Sequence, residues 1–100
     1  LSLPILGISR EMIIVLANKA AKALELTDHP INIGDSLDVY FQNGTYDRIA
    51  EHFTGDDHIQ FECEGRNARR FKIELIPLAG RFKGKGLILT LAPEAPAIVG

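Results

Sequence analysis

The stretch HIQFECEGRNARRFKIEL, residues 58–75, has a hydrophobic pattern with a period of two on either side of a glycine. Its alternating apolar positions are Ile59, Phe61, Cys63, Phe71, Ile73 and Leu75. Alternation of this kind is typical of β-strands that bury one face and expose the other. The stretch therefore predicts a β-hairpin with these side chains on its buried face.

The loop of this hairpin is predicted from the pairing that it must allow. If Phe61 and Phe71 share a face without a bulge, a two-residue turn is excluded and a three-residue loop at residues 65–67 fits. We expect Asn67 to close this loop in the left-handed conformation, which Asn tolerates. The predicted pairs are Phe61 with Phe71 and Ile59 with Ile73 on the buried face, and Glu62 with Arg70 and His58 with Glu74 on the outer face. Unlike charges meet in this register.

The N-terminal half predicts a second hairpin followed by helical segments. Residues 3–8 and 12–17 are apolar, β-rich runs, and because they are apolar at successive positions we expect both of their faces to be covered. Asn18 is a preferred N-cap before an alanine-rich stretch, which predicts a helix to about Leu26. A brief helical turn is expected over residues 36–41, capped by Asp35 or Ser36, and residues 43–44 interrupt the chain after it.

A further helix is predicted from a stripe at i, i+3, i+4 and i+7, formed by Tyr46, Ile49, Ala50 and Phe53. Residues 55–57 end this helix, and a glycine-rich loop at residues 79–85 leads to a last strand over residues 86–92. Strands and helices do not alternate along the chain, so a parallel sheet is not expected. We predict the α+β class, with a five-stranded antiparallel sheet and several short helices packed on one face.

Length and composition predict one domain. The chain has 100 residues, 46% of them hydrophobic, and opens without Met on an apolar run, as expected of a segment of a longer protein. We assign residues 1–93 to the domain and residues 94–100 to a connector toward an output domain. Eleven basic and thirteen acidic residues give a net charge of −2 and form no basic stripe, which argues against nucleic-acid binding.

Two further features bear on location. The apolar runs are far shorter than the ~20 residues that cross a bilayer, so no direct membrane contact is expected from this segment. Cys63 is the single cysteine, and it therefore forms no internal disulfide. A reducing, cytoplasmic setting is the prediction.

The order of these elements resembles that of the PAS family, in which a β-hairpin, an Asn that opens an alanine-rich helix, several short helices and a three-stranded meander follow one another. The matching motifs are Val15-Leu16-Ala17-Asn18 with Ala20 and Ala21, Ile33-Gly34 before the turn at residues 37–41, Glu64-Gly65-Arg66, and Gly86-Leu87-Ile88. The chain departs from the family in two places. Met12 stands where members often place Gly in the first hairpin turn, and Ala92-Pro93-Glu94 replaces the closing Asp-Ile-Thr that couples the sheet to the output helix.

The resemblance implies a sensory or dimerisation domain of a bacterial or archaeal signalling protein, such as a sensor histidine kinase or a diguanylate cyclase. Such a domain acts by population shift, because a ligand that prefers one packing of the helices on the sheet biases the attached output domain. Catalysis would then lie in a separate domain of the parent protein. The alternative is a ligand-free PAS-like docking module of a transcription regulator.

Two sites are expected. The first is the space between the helical stripe and the inner strand face, which either holds a small apolar ligand or is filled as core; it is lined by Tyr46, Ile49, Phe53, Ile59, Phe61, Phe71 and Ile73. The second is the outer sheet face, where an apolar patch usually marks a partner surface. We expect a homodimer, or a flanking helix of the parent protein, to cover it through Ile5, Ile8, Ile14, Leu16, Ile88 and Thr90.

Other candidate chemistry is disfavoured by context, and no catalytic residue, metal site or cofactor is predicted. Cys63 lacks the helical Asn-Cys-Arg motif of flavin-binding relatives and is expected in the core. His52 lies where haem-binding relatives keep an axial ligand, but its helical phase places it on the flank of the buried face. His29 and His58 do not add metal-ligand spacing. The loop at residues 80–86 lacks the spacing and the Ser or Thr of a P-loop.

Overall fold

The computed structural model describes residues 3–24, 26–28, 30–53, 55, 57–65 and 70–93. The elements are β1 (Ile5–Ser9), β2 (Ile14–Ala17), α1 (Lys19–Lys22), α2 (Asn43–Ala50), β3 (Ile59–Glu64), β4 (Arg70–Pro77) and β5 (Gly86–Pro93), with 3₁₀ turns at Leu37–Val39 and Gly80–Phe82. All five strands form one antiparallel sheet in the order β2-β1-β5-β4-β3. The α+β class and the five-stranded antiparallel sheet are confirmed.

The helical part is smaller than predicted. Within the described ranges it consists of two α-helices and two 3₁₀ turns, where several short helices were expected. The connector assigned to residues 94–100 lies outside the described residues. No helix in the described part of the chain has the length and apolar character needed to span a bilayer.

The hairpin β1–β2 contains a bulge and a left-handed turn residue. Gly7 pairs with Leu16 and Ile8 pairs with Ile14, so Val15 is the extra residue on β2. Met12 closes the turn with a φ of 66°, a conformation that costs an L-residue about 1–2 kcal/mol. Met12 thus adopts a backbone conformation that glycine reaches without this cost.

Asn18 caps α1 as predicted, because its side chain accepts a hydrogen bond from the Ala21 N–H at 2.9 Å. The helix ends at Lys22 instead of continuing to Leu26. Its last turn tightens through an i→i+3 bond from the Leu24 N–H to the Ala21 carbonyl. The chain then turns inward, since the Leu26 side chain is fully buried.

The predicted register of β3 and β4 is wrong by two residues, although the predicted faces are right. Cys63 lies opposite Phe71, and the other pairs are Ile59–Leu75, Gln60–Glu74, Phe61–Ile73, Glu62–Lys72 and Glu64–Arg70. Gly65 forms an isolated antiparallel bridge with Phe41. Asn67, expected to close that loop, lies outside the described residues.

The core lies between the inner sheet face and the helical segments. The central strands contribute Leu6, Ile8, Phe71, Ile73, Leu75, Leu87, Leu89 and Leu91, all at most 1% exposed. The helical side contributes Ala21, Leu37, Tyr40, Phe41 and Ile49, all fully buried. Three expectations about α2 were wrong. Residues 43–44 begin the helix instead of interrupting the chain, and the helix ends at Ala50, before the residues 55–57 that were predicted to end it. Ala50, a member of the predicted stripe, is exposed.

Candidate functional site

The residues predicted to line a ligand pocket meet on the inner face of the sheet. Ile49, Phe71 and Ile73 are fully buried, Phe53 and Phe61 are each 8% exposed, and Tyr46 and Ile59 pack against them from partly buried positions. All of them belong to, or pack on, one hydrophobic cluster. The helical stripe and the strand face are therefore brought together, while a ligand between them stays a prediction.

The outer face of the sheet carries an apolar half, which we call the outer apolar patch and define as Ile5, Val15, Leu16, Ile76 and Ile88. Cross-strand pairs place Leu16 and Ile88 on either side of Gly7, and Ile76 opposite Ile88. Val15 and Leu16 are 55% and 49% exposed. Gly7 lets β2 approach closely, since a Cβ there would lie 3.0 Å from the Leu16 Cβ.

Two of the six residues predicted for the partner surface lie in the core. Ile8 is 1% exposed and Ile14 is fully buried. Ile8 pairs with the inward-facing Leu87 on one side, and the bulge at Val15 brings Ile14 opposite it on the other. Ile5, Leu16, Ile88 and Thr90 do lie on the outer face, although Thr90 is only 9% exposed there. The runs at residues 3–8 and 12–17 are apolar at odd and even positions alike, so the sequence pattern does not indicate which of their residues point inward.

The other half of the outer face is polar and centres on Glu74. Gln60 Nε2 donates to Glu74 Oε2 at 2.6 Å, and His58 Nε2 lies 3.1 Å from Glu74 Oε1. Hydrogen bonds from Gln60 and then from His58 hold the pKa of Glu74 below its ordinary value. The predicted contact between His58 and Glu74 therefore forms, but it joins diagonal neighbours because Gln60 is the residue directly opposite Glu74.

Arg70 also bridges diagonally on this polar half. Its guanidinium lies 3.0 Å from Glu62 Oε2 and 3.3 Å from Glu64 Oε1. Glu64 is directly opposite Arg70, whereas Glu62 is two residues removed along β3. The predicted contact between Glu62 and Arg70 is thus present in a register different from the predicted one.

A cleft between α2 and β3 was not expected from the sequence. It has a volume of about 220 Å³ and is lined by Gln42, Gly44, Thr45, Arg48, Phe61 and Glu62. The Arg48 guanidinium carbon lies 4.2 Å from the centroid of the Phe61 ring, a cation–π distance. Periodicity predicts that Phe61 lies in the core. The packing of α2 against the edge strand β3 depends on contacts between distant parts of the chain, which periodicity does not predict.

Tyr40 anchors the segment before α2 through its hydroxyl. It accepts from the Asn32 N–H at 2.9 Å and donates to Asp35 Oδ2 at 2.6 Å. Burial, followed by the hydrogen bond to Asp35, raises the pKa of Tyr40 to about 12. Asp35 was expected as a cap of the turn at residues 36–41, and it bonds the tyrosine instead; Ser36 holds the N-cap position without a side-chain bond.

The remaining candidates occupy separate positions. Cys63 is 6% exposed in the core, and His52 is half-buried in the turn after α2. His29 lies outside the described residues. Among the residues that are described, His, Cys, Asp and Glu form no group of three suited to a metal ion. In the loop from β4 to β5, the Arg81 guanidinium carbon lies 5.1 Å from the centroid of the Phe82 ring, and Phe82 is 50% exposed.

Comparison with known proteins does not assign this domain to a family. No family model matches the chain. A search of curated proteins also gave no match. The fold thus defines an α+β domain with a five-stranded antiparallel sheet, and its function is argued from the surfaces described above.

Proposed function

We propose that this chain is a PAS-type sensory and dimerisation domain of a larger cytoplasmic signalling protein, such as a sensor histidine kinase or a diguanylate cyclase. The order of its elements supports the proposal. A β-hairpin is followed by Asn18 and the alanine-rich α1, then by short helical segments, and finally by the meander β3–β4–β5. Catalytic activity would lie in a separate domain of the parent protein.

The observation that carries the proposal is the division of the outer face. The outer apolar patch exposes about half of Val15 and of Leu16, while Glu74, Gln60 and Arg70 form polar contacts beside it. Protein interfaces usually bury an apolar area and leave polar residues at its border in water. A second copy of the chain fits this surface, because a symmetric contact would place the apolar half of one copy against the apolar half of the other.

Signal output would then follow from population shift. The helical segments and the sheet share one core, so a ligand or partner that favours one packing of the helices also changes the sheet to which they are packed. It can bias the dimer only by the difference between its affinities for the two packings.

A second candidate is a ligand-free docking module of a transcription regulator. Complete burial of Ile49, Phe71 and Ile73 favours it, since side chains at the centre of the expected pocket already pack against one another. Native mass spectrometry of the purified chain separates the two functions. An added mass that is lost on denaturation supports a ligand sensor, whereas a bare dimer supports the docking module.

The dimer itself is tested by sedimentation equilibrium of the chain and of the Leu16→Lys variant. We expect the variant to be monomeric at concentrations where the parent chain dimerises, because the buried charge would be unpaired. Val39→Lys is the matched control. Val39 is a 36% exposed apolar residue in the 3₁₀ turn of the helical layer, and its substitution should leave the dimer intact. A parent chain that stays monomeric at high micromolar concentration would refute dimerisation through this face.

A further inference from the structure

The cleft between α2 and β3 presents the guanidinium of Arg48, which has no ionic partner among the described residues. In the described part of the chain, no carboxylate lies within salt-bridge distance of Arg48, although Glu62 is one of the residues that line the same cleft. Glu62 bonds Arg70 instead, at 3.0 Å. The charge of Arg48 is therefore free for a ligand.

The position of Arg48 suits it to hold a planar anion. Its guanidinium lies over the Phe61 ring, 4.2 Å from the centroid, and Phe61 is itself 8% exposed. Stacking restricts the side chain and leaves the in-plane N–H groups directed away from the ring. A guanidinium fixed in this way can donate two parallel hydrogen bonds to a carboxylate.

The other walls of the cleft select among anions. The Glu62 carboxylate only accepts hydrogen bonds when ionised, so a ligand group near it must be a donor. Its negative charge also disfavours a dianion such as phosphate. Two further polar residues, Gln42 and Thr45, line the cleft. A volume of about 220 Å³ corresponds to roughly seven waters, a size that suits a small acid.

We propose that this cleft binds a small carboxylate that bears an adjacent ammonium or hydroxyl group, such as an amino acid or a hydroxy acid. The carboxylate lies on Arg48, and the donor group bonds Glu62. The site goes beyond the function proposed above, because it lies at the edge strand β3 and not in the outer apolar patch. It stands whether or not the domain dimerises.

The test is titration of the isotope-labelled chain, followed by amide chemical shifts, with L-serine, L-lactate, acetate and inorganic phosphate. Serine or lactate should shift amides around residues 42–48 and 61–62, and should bind more tightly than acetate or phosphate. Arg48→Gln should weaken binding about tenfold or more, as expected for loss of a charge-assisted hydrogen bond. Arg48→Lys keeps the charge but lacks the planar guanidinium, so its affinity for serine and lactate should lie between those of the parent chain and Arg48→Gln.

Arg81→Gln is the matched control, because Arg81 also lies over an aromatic ring but far along the chain, in the loop from β4 to β5. It should bind like the parent chain. Glu62→Gln should reduce the preference for serine over acetate. The proposal is overturned if none of the four probes shifts the cleft amides at millimolar concentration, if Arg48→Gln binds as well as the parent, or if acetate or phosphate equals serine and lactate. An unchanged unfolding midpoint for each variant separates loss of binding from loss of fold.

Discussion

Asn18 and Ile5 are joined by a pair of hydrogen bonds, one through the backbone of Asn18 and one through its side chain. The Asn18 N–H donates to the Ile5 carbonyl at 3.1 Å, and Asn18 Oδ1 accepts from the Ile5 N–H at 3.0 Å. The same Oδ1 caps α1, and Nδ2 donates to the Leu3 carbonyl at 2.8 Å. One amide side chain thus extends the β1–β2 ladder and begins the helix.

Asn18→Ala should lower the free energy of unfolding by about 2–3 kcal/mol. The lost cap accounts for about 1 kcal/mol, and the Ile5 N–H left without its partner for a comparable or larger amount. Asn18→Asp keeps the acceptor but loses the bond to Leu3, so its loss should be smaller. Urea unfolding measures the loss of stability in both variants. Asn32→Ala is the control, because it keeps the hydrogen bond from the backbone N–H of residue 32 to Tyr40. A loss below about 0.5 kcal/mol for Asn18→Ala would contradict the dual role.

Tyr40 should make stability fall at alkaline pH. Its pKa is raised from 10.0 to about 12, so the folded state holds the phenol proton after the unfolded state has released it. The contribution of protonated Tyr40 to the free energy of unfolding is therefore complete below pH 10 and is lost as the pH rises toward 12. Absorbance titration of tyrosinate in a Tyr46→Phe background reports Tyr40 alone, because the chain has only two tyrosines. Titration of Tyr40 near pH 10 in the folded chain would be the contrary result.

Met12 gives a test of the left-handed turn. The Met12 side chain is 5% exposed, so substitution by glycine or by alanine removes buried surface and destabilises the fold. Glycine, however, adopts a φ of 66° without steric strain, whereas alanine remains strained in that conformation. Met12→Gly should therefore be more stable than Met12→Ala by about 1 kcal/mol, in thermal or urea unfolding. The same pair of substitutions at Leu16, in β2, should show the reverse order, because glycine weakens a strand.

Much of the sheet was predictable, because period-two patterning decides which side chains share a face. Phe61, Cys63 and Phe71 lie inward as expected. A slip of two residues preserves every face, so patterning alone could not fix the register.

The candidate sites were less predictable. The bulge at Val15 turns Ile14 inward, and the sequence of β2 does not predict this bulge. The cleft beside Arg48 depends on where α2 packs on β3. Arg48 and Phe61 are thirteen positions apart in the sequence, and no periodic signal connects them. A basic residue on the exposed side of an amphipathic helix is ordinarily read as solvated.

The register of β3 and β4 can be tested by disulfide trapping. In a Cys63→Ala background, which removes the only native thiol, Glu62→Cys with Lys72→Cys places two cysteines directly opposite each other. Glu62→Cys with Arg70→Cys places them in the sequence-predicted register. Opposite Cβ atoms are about 4.5–5.5 Å apart and diagonal ones about 7–8 Å, and a disulfide needs about 3.5–4.5 Å. We expect the first pair to oxidise faster, as measured by loss of free thiol; faster oxidation of the second pair would show the register to be the one predicted from the sequence.

Glu74 should contribute stability that is lost in acid. Its pKa is held below the ordinary value of 4.5, first by the hydrogen bond from Gln60 and then by that from His58. The folded state thus favours the carboxylate, and the contribution is present above pH 4.5 and is lost as the pH falls through the lowered pKa. The difference in unfolding free energy between the parent chain and Glu74→Gln should therefore shrink as the pH is lowered from 6 toward 3, a range that spans about one to two units around the ordinary carboxyl pKa. Gln60→Ala should reduce this pH dependence more than His58→Ala does, since the Gln60 bond is the larger cause. Equal pH profiles for the parent chain and Glu74→Gln would show that these contacts do not act on the carboxylate in the folded state.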